Sequence, residues 1–183
     1  MSSKFKVRDQ DKLYFLTFTT CYWLDIFTRP VYKEVLVDSL RHCQESKGLE
    51  LFAWVIMTNH VHLIARAVPE KQLQDIVRDF KKYTSVAIAR QIESNHQESR
   101  KEWLLWMMAR AARKSKKHQK YQLWQSGYHP VELSSNYIME QKLEYLHQNP
   151  VKEGWVRKAD EYVYSSAKDY AGQKGMLDIL LIN

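Results

Sequence analysis

Cysteine is scarce: Cys21 and Cys43 are the only two in the chain. They can build neither a disulfide framework nor a cysteine-rich zinc site, so both are expected to be small buried hydrophobes in a reducing cytoplasm. Glycine and proline are also few, with five and four copies, which excludes fibrous repeats and low-complexity linkers. No apolar run approaches the roughly 20 residues needed to cross a bilayer. Met1 to Gln10 is polar with no apolar stretch behind it, so no signal peptide is expected. The apolar stretch Met176 to Ile182 is short and is expected to be a terminal strand or packed tail. Acid is outnumbered, with 28 Lys and Arg against 21 Asp and Glu, a net charge of +7. That excess leans toward a polyanionic partner.

What is present suits one globular domain spanning 1–183, at 45% hydrophobic and 27% charged residues. Leu13 to Trp23 is aromatic and β-branched and predicts a strand. Pro30 suits the first turn of a helix ending near Gly48. Leu51 to Met57 and His60 to Ala67 predict two strands joined tightly at Thr58-Asn59, an antiparallel hairpin. Pro69 is expected to open a long helix with Leu73, Ile76, Val77, Phe80 and Ile88 on one stripe. Glu98 to Ala112 predicts another, with Trp103 and Trp106 in the core. Tyr121 to Trp124 and Tyr128 to Leu133 predict short strands. Ser135 or Asn136 caps a last helix, which Pro150 is expected to terminate. The sum is an α/β domain with an antiparallel sheet and helices packed on it.

Within the hairpin, His60 and His62 project from one face of a strand while Val61 points to the other. Two imidazoles on a rigid sheet are half of a metal site. On the last helix Met139, Leu143 and Leu146 form the buried stripe, and Tyr145 lies off it with Asn149 one turn on. On the residues alone the commoner reading is a packing tyrosine and a helix-capping asparagine.

Four motifs in order shift that balance: His60-Val-His62, Phe80-Lys-Lys-Tyr-Thr-Ser85, Leu123-Trp-Gln-Ser-Gly-Tyr-His129 and Tyr145-Leu-His-Gln-Asn-Pro-Val151. With Tyr164-Ser-Ser166 they resemble the REP-associated tyrosine transposases, relatives of the HUH insertion-sequence transposases, over about Tyr14 to Tyr170. The resemblance implies a ferredoxin-like or RRM-like sheet with the histidine pair on a central strand. It implies that His60, His62 and Asn149 are metal ligands and Tyr145 is the nucleophile. The reaction implied is cleavage and transfer of single-stranded DNA through a 5′-phosphotyrosine, at palindromic hairpin repeats.

A phenol is a poor nucleophile at neutral pH, and a phosphodiester must have its charge offset before an oxyanion approaches. One Mg²⁺ or Mn²⁺ on two imidazoles and an amide would meet both needs, Mn²⁺ binding more tightly because imidazole is not a preferred Mg²⁺ ligand. For gripping DNA, the resemblance and the charge pattern nominate Arg78, Lys81, Lys82, Tyr83 and Thr84 on the long helix. His129 joins them, as do Arg113, Lys116 and Lys117 in the basic run Arg110 to Lys120. Trp124, Gln125 and Tyr128 are expected near the cleft. No membrane and no small-molecule cofactor are expected, and the chain is expected to be a monomer or homodimer at a bacterial nucleoid. A domesticated DNA-binding module without catalysis, and a metal protein unrelated to DNA, are the alternative readings.

Overall fold

The computed structural model describes residues 7, 9–114 and 119–182. Four strands, β1 (Tyr14–Thr19), β2 (Leu49–Ile56), β3 (His60–Ala67) and β4 (Val131–Glu132), form one antiparallel sheet in the order β2-β3-β1-β4. With α1 (Pro30–His42) between β1 and β2, and α2 (Leu73–Ser94) and α3 (Lys101–Arg113) between β3 and β4, this is the ferredoxin-like β-α-β-β-α-β order with one added helix. The last long helix is α4 (Asn136–Lys152), and a short α5 (Ala167–Tyr170) follows. Among the described residues no helix is long and apolar enough to cross a membrane.

Strand alternation gives the sheet two apolar faces. Tyr14, Leu16 and Phe18 of β1 join Val61, Leu63 and Ala65 of β3 in a core covered by α1 and α2. Phe15 and Ile64 face the other way, into a second core closed by Leu146 of α4. His60 and His62 share that second face, because β3 keeps its register with β1: Thr17 lies opposite His62 and Thr19 opposite His60. The sheet thus carries its histidines toward α4 and away from α1 and α2.

Several boundaries differ from expectation. Strand β1 stops at Thr19 and gives way to a turn at Cys21–Trp23 in which Tyr22 (φ 57°) and Trp23 (φ 56°) are left-handed, at a cost of about 1 kcal/mol or more each. Pro69 does not open α2. Pro69 and Glu70 (φ 70°) are instead the centre of a type II turn closed by Lys71 N–H donating to Val68 O, and Leu73 starts the helix. Nor does Pro150 end α4. The helix continues to Lys152 and stops at Gly154 (φ 74°), where Trp155 N–H bonds Pro150 O and Gly154 N–H bonds Val151 O in a Schellman cap. Tyr121 to Trp124 contributes one bridge, Thr20 to Trp124, and Tyr128 to Leu133 only the two residues of β4.

In α3 the helix was legible but its face was not. Leu104, Met108, Ala111 and Ala112 are buried, while Trp103 and Trp106 face solvent. The chain end is a packed tail, with Leu177 buried and Leu180 N–H bonded to Leu51 O. Cys21 and Cys43 are buried thiols, each pushed up to about 11 by burial.

Candidate active site

The two imidazoles lie edge to face with centroids 4.8 Å apart. His60 Nδ1 is 2.7 Å from Asn59 Oδ1, and an amide oxygen can only accept, so Nδ1 carries the proton and the neutral ring keeps its lone pair on Nε2. Asn59 is held in turn, its Nδ2 donating to Asp25 Oδ1 at 3.2 Å, and the same carboxylate oxygen accepts from Thr58 Oγ1 at 2.6 Å. A carboxylate therefore orients the histidine through an asparagine, an arrangement that fixes the tautomer of metal-binding histidines.

His62 is buried, and Thr17 Oγ1 lies 2.9 Å from its Nδ1. Its Nε2 is buried with no partner, an orphaned atom that a metal ion would satisfy. Burial pushes His62 down to about 3, assisted by the neighbouring charges of His60 and Lys142. His60 is lowered by burial too, against an opposing hydrogen bond with the Asn149 side chain. Both rings are neutral at physiological pH, the form that donates a lone pair to a metal.

Helix α4 brings the tyrosine. Ser135 Oγ caps its first turn by accepting from Ile138 N–H. Leu146 is fully buried, and His147 on the same side puts its Nε2 2.9 Å from Ser166 Oγ, which accepts from Trp54 N–H on β2. The Tyr-Ser-Ser segment thus staples α4 to the sheet edge, with Ile56 N–H bonded to Tyr164 O. Held this way, Tyr145 sits 5.4 Å from His62 and 6.0 Å from Phe15, ring centroid to centroid, and remains 41% exposed. Lys142 and Lys152 place their ammonium groups 5.6 and 5.3 Å from its ring. Asn149 Nδ2 donates to Tyr145 O at 2.7 Å, and the Asn149 side chain also interacts with His60.

The histidine pair, Tyr145 and Asn149 are therefore brought together, whereas the expected DNA-contacting residues lie elsewhere. Helix α2 covers the opposite face of the sheet. Thr84 is a correction: it is fully buried, accepting from Trp124 Nε1 at 2.8 Å and donating to Phe80 O, so it is a packing residue. Lys81 donates to Gln125 O and Gly127 O and pins the loop before β4. Arg78 is paired with Asp75 and Asp79. Lys82, Tyr83, Arg113 and His129 are exposed, and Lys116 and Lys117 lie outside the described residues. Trp124 and Tyr128 pack on Phe18, on the face away from the histidines. Sequence reasoning missed Thr17, Asn59, Asp25, Lys142 and Lys152. Spacing from Tyr145 flags Lys142 on α4, but Asp25 sits in an irregular loop that no periodicity marks.

Among the described residues no group of three or more His, Cys, Asp or Glu side chains could hold a metal. The donor set that fits is neutral, two imidazoles and an amide, with the orphaned His62 Nε2 at its centre. Such a set leaves the ion's charge for an incoming phosphate.

A ferredoxin-like antiparallel sheet with a His-x-His pair on a central strand, faced by a helix tyrosine, defines the structural class. The chain belongs to the family described as Transposase IS200 like, whose model matches residues 10–149. No curated protein matches it. Its fold is similar to that in the structure of a REP-associated tyrosine transposase bound to a REP hairpin. The TM-score is 0.66 at 17% identity, covering 100% of this chain and 94% of that one. A transposase structure from Deinococcus radiodurans R1 is 25% identical over 74% of this chain and 88% of that one, at a TM-score of 0.43.

Proposed function

We propose that this transposase cuts and rejoins single-stranded DNA with Tyr145 as nucleophile, at hairpin-forming repeats like the one bound by the similar REP-associated protein. The observation that carries the reading is the Tyr145 ring 5.4 Å from His62, on a helix stapled to the same face of the sheet. The Tyr145 oxygen attacks a phosphodiester, forming the P–O bond to tyrosine as the bond to the 3′ oxygen breaks. The phenolic proton leaves to solvent and the departing 3′ oxygen is protonated, giving a 3′-hydroxyl and a 5′-phosphotyrosine. A 3′-hydroxyl attacking that phosphotyrosine reverses the step and joins strands without ATP.

Lys142 and Lys152 offset phosphate charge beside the ring. His60, His62 and Asn149 would hold Mg²⁺ or Mn²⁺, which when bound polarises the scissile phosphate. Thr17, Asn59 and Asp25 keep the two imidazoles oriented. The packing of α4 on its own chain's sheet supports a self-sufficient monomer, with a homodimer as the alternative, acting at the nucleoid. Lys82, Tyr83, Arg113 and His129 are proposed to contact DNA outside the cleft.

The test is a labelled hairpin oligonucleotide from the flank of the gene, incubated with Mn²⁺. Wild type should cleave it and Tyr145→Phe should not. Salt-dependent binding with no cleavage by wild type would instead favour a non-catalytic DNA-binding protein.

A further inference from the structure

Apart from Arg113, the aromatic and basic residues at the corner of α3 and the Cys21–Trp23 turn have no part in the reading above. We propose that they form a stacking platform for unpaired bases of the DNA strand entering the Tyr145 cleft, an inference that rests on the single-stranded DNA reading.

Four rings are exposed there: Tyr22 at 39%, Trp23 at 62%, Trp103 at 49% and Trp106 at 55%. At about 100° per residue, Trp103, Trp106, Arg110, Arg113 and Lys114 fall on one face of α3, within an arc of about 100°. The opposite face supplies the buried residues Leu104, Met108, Ala111 and Ala112, so the tryptophans are not needed for packing. The rings and cations are already interleaved. The Arg110 guanidinium lies 5.5 Å from the Trp106 ring and 5.9 Å from Tyr22, and Lys114 Nζ lies 5.6 Å from Tyr22. Scattered surface tryptophans are ordinary, but a continuous ring-and-cation stripe is the composition that binds single strands. Rings stack on any base face and cations follow the phosphates; Glu102 is the sole acid on α3, in its first turn.

The backbone adds a second, independent sign. Tyr22 and Trp23 are consecutive left-handed residues without glycine, a conformation that persists only when surrounding bonds impose it and that gathers at functional sites. Here Cys21 N–H bonds Leu123 O at 2.7 Å and Thr20 Oγ1 donates to Leu24 O at 2.9 Å. The platform is also close to the chemistry. Tyr22 is three residues beyond Thr19, about 10 Å of chain at most, and Thr19 lies opposite His60 in the sheet. A few nucleotides suffice to join the two.

The experiment compares binding of a blunt DNA hairpin with the same hairpin carrying a short unpaired tail, using Tyr145→Phe protein so that cleavage does not intervene. The tail should raise affinity. Trp106→Ala should lower affinity for the tailed hairpin roughly 5- to 100-fold, leave the blunt hairpin unchanged and keep the melting temperature, while Trp106→Phe should retain most of the tail effect. Equal affinity of Trp106→Ala and its parent for the tailed hairpin, or equal loss on both hairpins, would overturn the platform. So would a wild-type dimer that Trp106→Ala dissociates with DNA affinity intact, which would make the stripe a protein contact. Failure of the nuclease reading shows separately, as wild type leaving the DNA uncut while the tail dependence is still measured.

Discussion

At the scale of single residues, the site is a set of neutral donors whose orientation is fixed from behind. His60 keeps its proton on Nδ1 because Asn59 is held by Asp25, and His62 has Thr17 at its Nδ1. Asp25→Ala should therefore act through metal affinity. The Mn²⁺ concentration for half-maximal cleavage should rise about 10- to 100-fold, with the rate at saturating metal largely restored. A metal titration of cleavage checks this, and an unchanged titration curve would remove Asp25 from the positioning chain. Tyr145→Phe keeps the ring against His62 and Phe15 and should bind the hairpin within about twofold of wild type while losing strand transfer altogether; fluorescence anisotropy and a cleavage gel read the two effects apart.

Among the elements, α4 matters most, because it carries the nucleophile and is positioned by Leu146, by His147 on Ser166 and by the Schellman stop at Gly154. Leu146→Ala should cost about 2–5 kcal/mol and loosen the tyrosine against the histidines, so cleavage should fall together with the melting temperature. The turn before α2 gives the opposite sign. Glu70 sits at φ 70° in the type II position that glycine favours, and Glu70→Gly should stabilise by roughly 0.5–1 kcal/mol, a rise of about 1–4 °C by thermal melting. The sequence read α2 as starting at Pro69 because proline suits a first helical turn; it equally suits position i+1 of a turn, and only the backbone of the next residue separates the two.

For the whole molecule, the antiparallel hairpin and the placing of His60 and His62 on one strand face were legible, because strand alternation reports directly on direction, whereas the meeting of Tyr145 with them followed only from the family resemblance. The face of α3 was not, since Trp103 and Met107 compete with Leu104 and Met108 for the same helical period and hydropathy ranks tryptophan with the core. The positioning chain through Asp25 was not legible either, since it joins a loop to a hairpin turn more than thirty residues away. The folded chain also holds neutral histidines that the unfolded chain would charge. Burial pushes His147 down to about 4 and His62 to about 3, from 6.5 in each case. Between pH 6.5 and about 4 the unfolded state takes up protons that the native state refuses, so the stability of the metal-free protein is full above pH 6.5 and falls as pH drops. His147 alone accounts for roughly 2 kcal/mol by pH 5. Melting temperatures at pH 7.5 and pH 5 should diverge for wild type and diverge less for His147→Gln.

The central claim, that Tyr145 takes the phosphate, has a direct measurement. Wild-type protein is incubated with Mn²⁺ and a hairpin oligonucleotide, digested with nuclease and trypsin, and its peptides are weighed. A phosphorylated or nucleotide-bearing peptide mapping to Tyr145, absent from Tyr145→Phe, is the expected result. Cleaved DNA with no adduct on Tyr145, or an adduct on another tyrosine, would contradict the account.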